Sequence, residues 1–437
     1  MHSPRSRPAP VSKIRIALMN LGFFGMVVVA VVGFWWATAM KTPVVVIPNP
    51  IMPSPNAFDF YVKAGDAMVY EKEIKNAVSV QPTVAYSLAQ KEELVQQNAG
   101  VIDTIHAGFA YPYMNPPYRS LYTDLPYYAQ FRGLARLLSL RGQVRAERGD
   151  WSGAADSYLD AIALAEAFPY GSSILGSLVG IACEAIGRIP LWDVIEHLNA
   201  AQSHAALTRL ERLLIRRLPY AEMMQQEEWT GQAALLEIFN DPKKRVSLFT
   251  DAEGPKEANA GGVNSPSPLF YLAHSKSHIM HNYTTMMERN IELARHPYGA
   301  HSAGPPLTDD PITRLFGSLF AEARLKEAAC MNQNGLMLVS LALNTYRLNH
   351  GRYPVSLFEL TPATIKELPE DPFAVDDTFK YKSDGRTCLL YSVGPDGNDD
   401  GGTPIDNGGQ TASSRPNTRY AVVKDSVGDV VAGKNRW

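Results

Sequence analysis

Residues 16–40 carry no charged side chain, and only Asn20 and Thr38 among them are polar. At about 1.5 Å per residue in a helix, such a run is long enough to cross a hydrocarbon core of about 30 Å. It reads as a single membrane helix, which makes a lipid bilayer the first partner of the chain. Arg5, Arg7, Lys13 and Arg15 precede it with no acidic residue among them, while Trp35 and Trp36 stand at its far end. Basic flanks stay cytoplasmic and tryptophans favour the interface, so the amino terminus is expected in the cytoplasm and the bulk beyond the membrane. Cleavage after Ala39 is the competing expectation, because Ala37-Thr38-Ala39 has the small-x-small form signal peptidase accepts. Against it, the apolar run is longer than the roughly 7–15 residues of a signal peptide.

The chain has 437 residues, 46% hydrophobic and 19% charged, so it has material for two or three packed domains and is not disordered throughout. Its net charge of −3 supplies no field for a nucleic-acid backbone, so no nucleic-acid partner is expected. After a basic tail (1–15) and the membrane helix (16–40), residues 41–56 contain Pro43, Pro48, Pro50, Pro53 and Pro55 and read as an extended stalk. Helical periodicity then dominates 57–310, broken at 111–126, 241–268 and 295–311, and a long helix with a small β module occupies 311–437. The fold class expected is mainly α, with an all-α middle domain of helical hairpins and a small α+β end.

The clearest hairpin runs from 127 to 168. Asp124-Leu125-Pro126 offers its start, and Asp150 can cap a second helix with Ala154, Ala155, Tyr158, Leu159, Ile162 and Ala165 on one stripe. Gly142, Gly149-Asp150-Trp151, Ala154, Tyr158 and Ala161 stand at the intervals of a tetratricopeptide repeat, which this unit of about 34 residues resembles. Arg145 and Glu166 replace a tyrosine and a proline usual in that family. Helices at about 173–198, 203–218 and 220–239 should stack on the unit. Peptide binding in a groove is what the resemblance implies; plain helical packing is the alternative.

Asp310-Pro311 opens a helix to His350 with Leu336, Val339, Leu343 and Tyr346 on one face, and Gly351 is placed to end it. Beyond it, residues 379–382 and 387–393 flank an Asp384-Gly385 turn and predict a β-hairpin. Three ordered blocks, Ala342 to Pro354, Leu368 to Phe373 and Leu390 to Gly397, resemble the globular end of the type II secretion major pseudopilin. The resemblance covers about a fifth of the chain. It implies a stem helix, a small sheet and a terminal loop that binds calcium.

The residues of that loop agree with such a site. Asp396, Asn398 and Asp400 alternate ahead of Gly401, the first half of a calcium loop, although Asn407 stands where an EF-hand needs its glutamate. Asp429, in a segment placed like the family's returning strand, and Asp406 are candidates to close the site, with Leu390 or Val393 contributing a carbonyl. A solvated Asp/Gly turn is the plain alternative. Departures from the family are also clear: Val27 stands where a filament subunit processed after Gly22 needs glutamate, and a large helical region separates anchor from end module. The whole chain resembles large anchored bacterial envelope proteins. That implies a single-pass inner-membrane protein with its body in the periplasm, scaffolding or binding other envelope proteins and carrying a calcium-stiffened module.

Other signals are weaker. His274, His278 and His281 share a helical stripe near Glu288, the spacing a zinc site uses, so a membrane-tethered metal-dependent hydrolase is the second function expected. A divergent secretion filament subunit is the third. Glu222, Glu227 and Glu228 could place carboxylates in a cleft, but a solvated helix face is the favoured reading of them. Arg209, Arg212, Arg216 and Arg217 read as a basic face. Gly428 to Asn435 imitates a phosphate loop without a following helix. Cys183 reads as a buried thiol, and Cys330 and Cys388 could pair in an oxidising compartment.

Overall fold

A computed structural model describes residues 13–79, 85–120, 125–240, 274–299, 311–375, 377–408 and 419–436; through residue 25 and at most positions of 311–319 only the backbone is described. Arg5, Arg7, Asp124, the 241–268 interruption and residues 300–310 lie outside the described residues. The protein is mainly helical with a small three-stranded sheet. The helices are α1 (Lys13–Met40), α2 (Ala57–Ala67), α3 (Glu71–Ala77), α4 (Leu88–Gln97), α5 (Ala99–Gly108) and α6 (Tyr127–Glu147), then α7 (Trp151–Ala167), α8 (Ile174–Leu191), α9 (Ala200–Arg216), α10 (Tyr220–Asn240), α11 (Lys276–Ala294) and α12 (Pro311–His350). Strands β1 (Lys380–Ser383), β2 (Cys388–Ser392) and β3 (Val430–Val431) follow.

Local chemistry sets many of the boundaries. Asn56, Asp150, Ser173 and Ser275 accept the first free amides of α2, α7, α8 and α11, and Ser87 and Asn199 form reciprocal capping boxes on α4 and α9. Gly351, at φ +72°, closes α12 in the left-handed region and donates its amide to Arg347 O. In the hairpin α6–α7, Gly142 lies under the ring of Tyr158, so the missing side chain sets how closely the two helices approach. On the opposite flank of α7, Gly187 of α8 lies against the Tyr158 carbonyl and Ala161.

Three cores result. Phe58, Tyr61, Ile105, Phe131, Leu134 and Phe168 fill the one between α2, α5, α6 and α7. A second runs without a break from Leu159 and Leu207 through Leu336 and Val339 to Phe373, Phe379 and Leu390. The β module therefore shares its core with the helical body, and no boundary falls in that core at residue 311. The third lies between α10 and α11, where Phe239, Ile279, Tyr283 and Met287 are buried. The sheet is antiparallel in the order β1-β2-β3, with Tyr381 opposite Leu390 and Tyr391 opposite Val431.

Helix α1 differs from the rest. Met26, Val29, Val31, Phe34 and Trp35 are all more than half exposed, yet Ala39 is only 3% exposed, and Met40 and Val45 pack on the α10–α11 core. Lys276 Nζ donates to Thr42 Oγ1 and to Phe239 O beside this junction. Residues 41–56 are extended, as their prolines predict, but they lie along the body instead of forming a free spacer: Val45 is packed and Pro48 O accepts from Arg119. Among the described residues, the helix that is long and apolar enough to cross a membrane is α8, and half of it is buried inside the body, as a core helix would be. The described apolar part of α1 is Met26–Met40.

Candidate functional site

The carboxyl-terminal loop is organised around one buried carboxylate. Asp429 is fully buried; its Oδ1 accepts the Asp400 amide at 3.3 Å and its Oδ2 the Gly402 amide at 2.6 Å. The backbone of Asp429 joins in: its amide donates to Thr403 O and its carbonyl accepts from Ile405. Burial pushes its carboxyl up, as do the charges of Asp399 and Asp400, while the two amides act the other way. Gly394, at φ +73°, packs its α-carbon against Gly428 O, which no larger residue could do.

The other expected ligands have partners of their own. Asp406 forms a bidentate pair with Arg419 at 2.7–2.8 Å, Leu390 O accepts Ala432 N within the sheet, and Val393 N donates to Asp371. Asp396 Oδ1 caps its own turn by accepting Asn398 N, and Asn398 and Asp400 lie on the exposed rim. Tyr391 Oη donates to Asp399, a residue the sequence pattern left out of the set. Among the described residues no group of three or more histidine, cysteine or carboxylate side chains is placed to hold a metal. Each oxygen of Asp429 accepts one backbone amide, so in this arrangement the carboxylate serves as an anchor of the Asp400–Gly402 loop.

Two hubs of buried charge went unread in the sequence. The first is Asp371, 1% exposed, which accepts from Asn332 of α12, from the Phe373 amide, from Ser392 Oγ and from Val393 N. It ties the Asp-Pro-Phe segment, the stem helix and the end of β2 together. Burial raises its carboxyl above the usual range against the pull of these donors.

The second joins α7, α8, α12 and the end of α9. Arg217, at the foot of α9, reaches Glu166 at 2.5 Å, Glu184 at 2.8 Å and Glu327 Oε1 at 3.0 and 3.1 Å. Arg188 donates to Glu184, to Asn334 and to Cys330 Sγ, and Asn334 donates to Glu184. The three glutamates are each 7% exposed or less and Arg188 is 3% exposed. Burial pushes Glu166 far up; Arg217 opposes this, and Glu184 and Glu327 reinforce it. For Glu184 burial acts in the same direction, but Arg217 and Arg188 outweigh it and hold the carboxyl below its ordinary value. Environment thus moves these two neighbouring carboxyls in opposite directions. Beside Glu327 opens a cavity of about 230 Å³ whose walls include Tyr220, Tyr298, Arg324 and Met331.

The remaining sequence candidates resolve differently. The His274 and His278 rings stack 6.5 Å apart, and His278 meets Asn282 at 3.2 Å; His281 is exposed, so the stripe gathers no metal group among the described residues. Glu227 and Glu228 are not a solvated face: Glu227 caps α8 through Ile174 N, and Glu228, 7% exposed, accepts from Gln225 and Gln232; only Glu222 is exposed. The basic face is only partly kept, because Arg209 pairs with Asp156 and Asp160 and Arg217 turns inward to the glutamates, while Arg212 and Arg216 are exposed. Cys183, Cys330 and Cys388 are free thiols; Cys330 faces the ionic cluster and Cys388 lies on β2 beside Tyr353, so the disulfide is not formed. Asn435 ties the terminal turn to Ile405 and Tyr420, and no phosphate loop exists there.

Compared with known proteins, the chain matches no family model, no curated protein and no solved structure.

Proposed function

We propose that the chain is a single-pass membrane protein whose body scaffolds or binds other envelope proteins on the far side of an inner membrane, in the periplasm. The observation that carries this reading is the contrast within α1: apolar side chains are exposed around the helix from Met26 to Trp36, whereas Ala39 is buried where the helix meets the body. A helix apolar on every side and without protein partners finds its solvent in lipid. The basic residues ahead of it give the orientation.

The tetratricopeptide-like hairpin and the pseudopilin-like end belong to this scaffold as packed parts. Packed by α8, α9 and α11, α12 is buried at most positions from Ala323 to Tyr346 and has little free face over that stretch with which to enter a fibre, which weighs against a filament subunit. The experiment is fractionation of cells expressing the full chain. Resistance to alkaline carbonate extraction, with digestion by protease added to spheroplasts, supports the reading; a carbonate-soluble protein, or one protected in spheroplasts, overturns it.

A further inference from the structure

The segment that follows the apolar helix is itself apolar on both of its sides. No charged residue stands between Thr42 and Phe58, and burial alternates from Val44 to Ile47 as an extended chain requires. Val45 packs on the α10–α11 core and Ile47 is half-buried, whereas Val44 and Val46 are 94% and 87% exposed. A strand edge that faces water ordinarily carries lysine or another charge on its outer side. This one carries valine.

Its backbone is open as well. Among the described residues, the amides and carbonyls of Val44, Val45, Val46 and Ile47 have no hydrogen-bond partner, whereas Pro48 O accepts from Arg119. Pro43 and Pro48, which have no amide to give, limit any ladder to the four residues between them. The segment is also fixed in place: Lys276 donates to Thr42 Oγ1, which donates in turn to Asn240 Oδ1. A fixed, extended and unpaired apolar strand is a template for strand addition.

We infer that Val44–Ile47 pairs with the same strand of a second copy of this chain, related to it by a two-fold axis. Lipid would leave the open amides without partners, so a bilayer is the poorer cover. Met40 ends α1 just ahead of the strand, so anchored copies present it at one height above the membrane, where confinement to a plane raises the effective concentration for a short ladder. Without a charge between Thr42 and Phe58, two copies meet there without repulsion. Every register sets β-branched side chains opposite one another, the kind of pair that stabilises a sheet, and a self-complementary contact closes as a dimer. The inference rests on the membrane reading of α1.

Light scattering of the full chain in mild detergent, corrected for bound detergent, should give twice the mass of one chain. The double variant Val44→Lys, Val46→Lys should halve that mass, with an unchanged circular dichroism spectrum and unchanged resistance to carbonate. Oxidation of isolated membranes should link Val44→Cys or Val46→Cys into a dimer on a non-reducing gel. The parent and Val355→Cys, a site 75% exposed beyond the end of α12, should not be linked. A single-chain mass for the parent, a folded lysine variant that stays dimeric, or no link at either cysteine overturns the inference, and the linking experiment decides it if the lysine variant loses its fold. Carbonate extraction keeps the two readings apart: a parent that is extracted yet dimeric overturns the anchor and upholds the pairing.

Discussion

Glu166 and Glu184 share Arg217 and lie in the same buried cluster, yet they should respond oppositely to loss of charge. Glu184 is held ionised between two guanidiniums, so Glu184→Gln leaves Arg188 and Arg217 under-compensated in a dry site. Removing one partner of a buried pair costs about 3–5 kcal/mol, and denaturant unfolding should show a loss of that size. Glu166 has its carboxyl pushed up, so folding takes up a proton there. Its contribution is complete below the unfolded glutamate value and is lost as pH rises through the folded one. Glu166→Gln makes the neutral form permanent while keeping an oxygen for Arg217. The variant should match the parent at pH 4–5, equal or exceed its melting temperature at pH 8, and show a shallower decline between. A steeper alkaline loss in the variant would contradict the assignment. Asp429 poses a third residue-scale question. Replacing it with asparagine removes one acceptor from the Asp400–Gly402 loop and sets an N–H₂ against a backbone N–H, a loss of about 1–3 kcal/mol. Calcium and chelator should leave the melting temperature of the parent unchanged. A calcium-dependent rise abolished in Asp429→Asn would instead restore the pilin-type ligand set, because a ligand bound only by the folded form stabilises it.

At the scale of elements, packing around Tyr158 depends on glycine on both sides. A methyl group at Gly142 meets a ring that can swing, whereas one at Gly187 meets the Tyr158 carbonyl, which the α7 backbone holds fixed. Gly187→Ala should therefore lower stability more than Gly142→Ala, by a difference of about 1–2 kcal/mol within the range of overpacked cores. Equal effects in thermal unfolding would count against a fixed α7–α8 spacing. These elements were readable from the chain: Asp150 and Gly351 mark their ends by known cap chemistry, and the 3.6-residue apolar period places Leu336, Val339, Leu343 and Tyr346 on the buried face of α12. What could not be read is what long-range contact does to single polar residues. Glu184 and Arg188 stand four apart inside an apolar run, a local hint of burial, but their partners Arg217, Cys330 and Asn334 come from distant helices. Likewise Asp429 has the composition of a metal ligand, and nothing in the sequence shows that the Asp400 and Gly402 amides reach its carboxylate.

For the whole molecule, the decisive fact is that the apolar helix does not end in a slack tether. Ala39 is buried and Met40 and Val45 enter the α10–α11 core, so a membrane-embedded α1 would hold the body against the bilayer surface with little freedom to swing. Cutting the chain after Ala39 would strip a seated residue from that junction, and the intact mass of the mature protein should accordingly include residues 1–39. Truncation is a poor test of anchoring for the same reason, since it disturbs the body along with the helix. Substitution at mid-helix is cleaner. Val28 and Val29 are exposed and far from the junction, and arginine near the centre of a spanning helix costs about 2.5–3.5 kcal/mol for insertion. The double variant Val28→Arg, Val29→Arg should move the full chain from the carbonate-resistant to the soluble fraction while its helical circular dichroism and melting temperature stay with those of the detergent-solubilised parent. Were the variant to remain membrane-bound, some surface of the body would be holding the lipid, and the role assigned to α1 would fall.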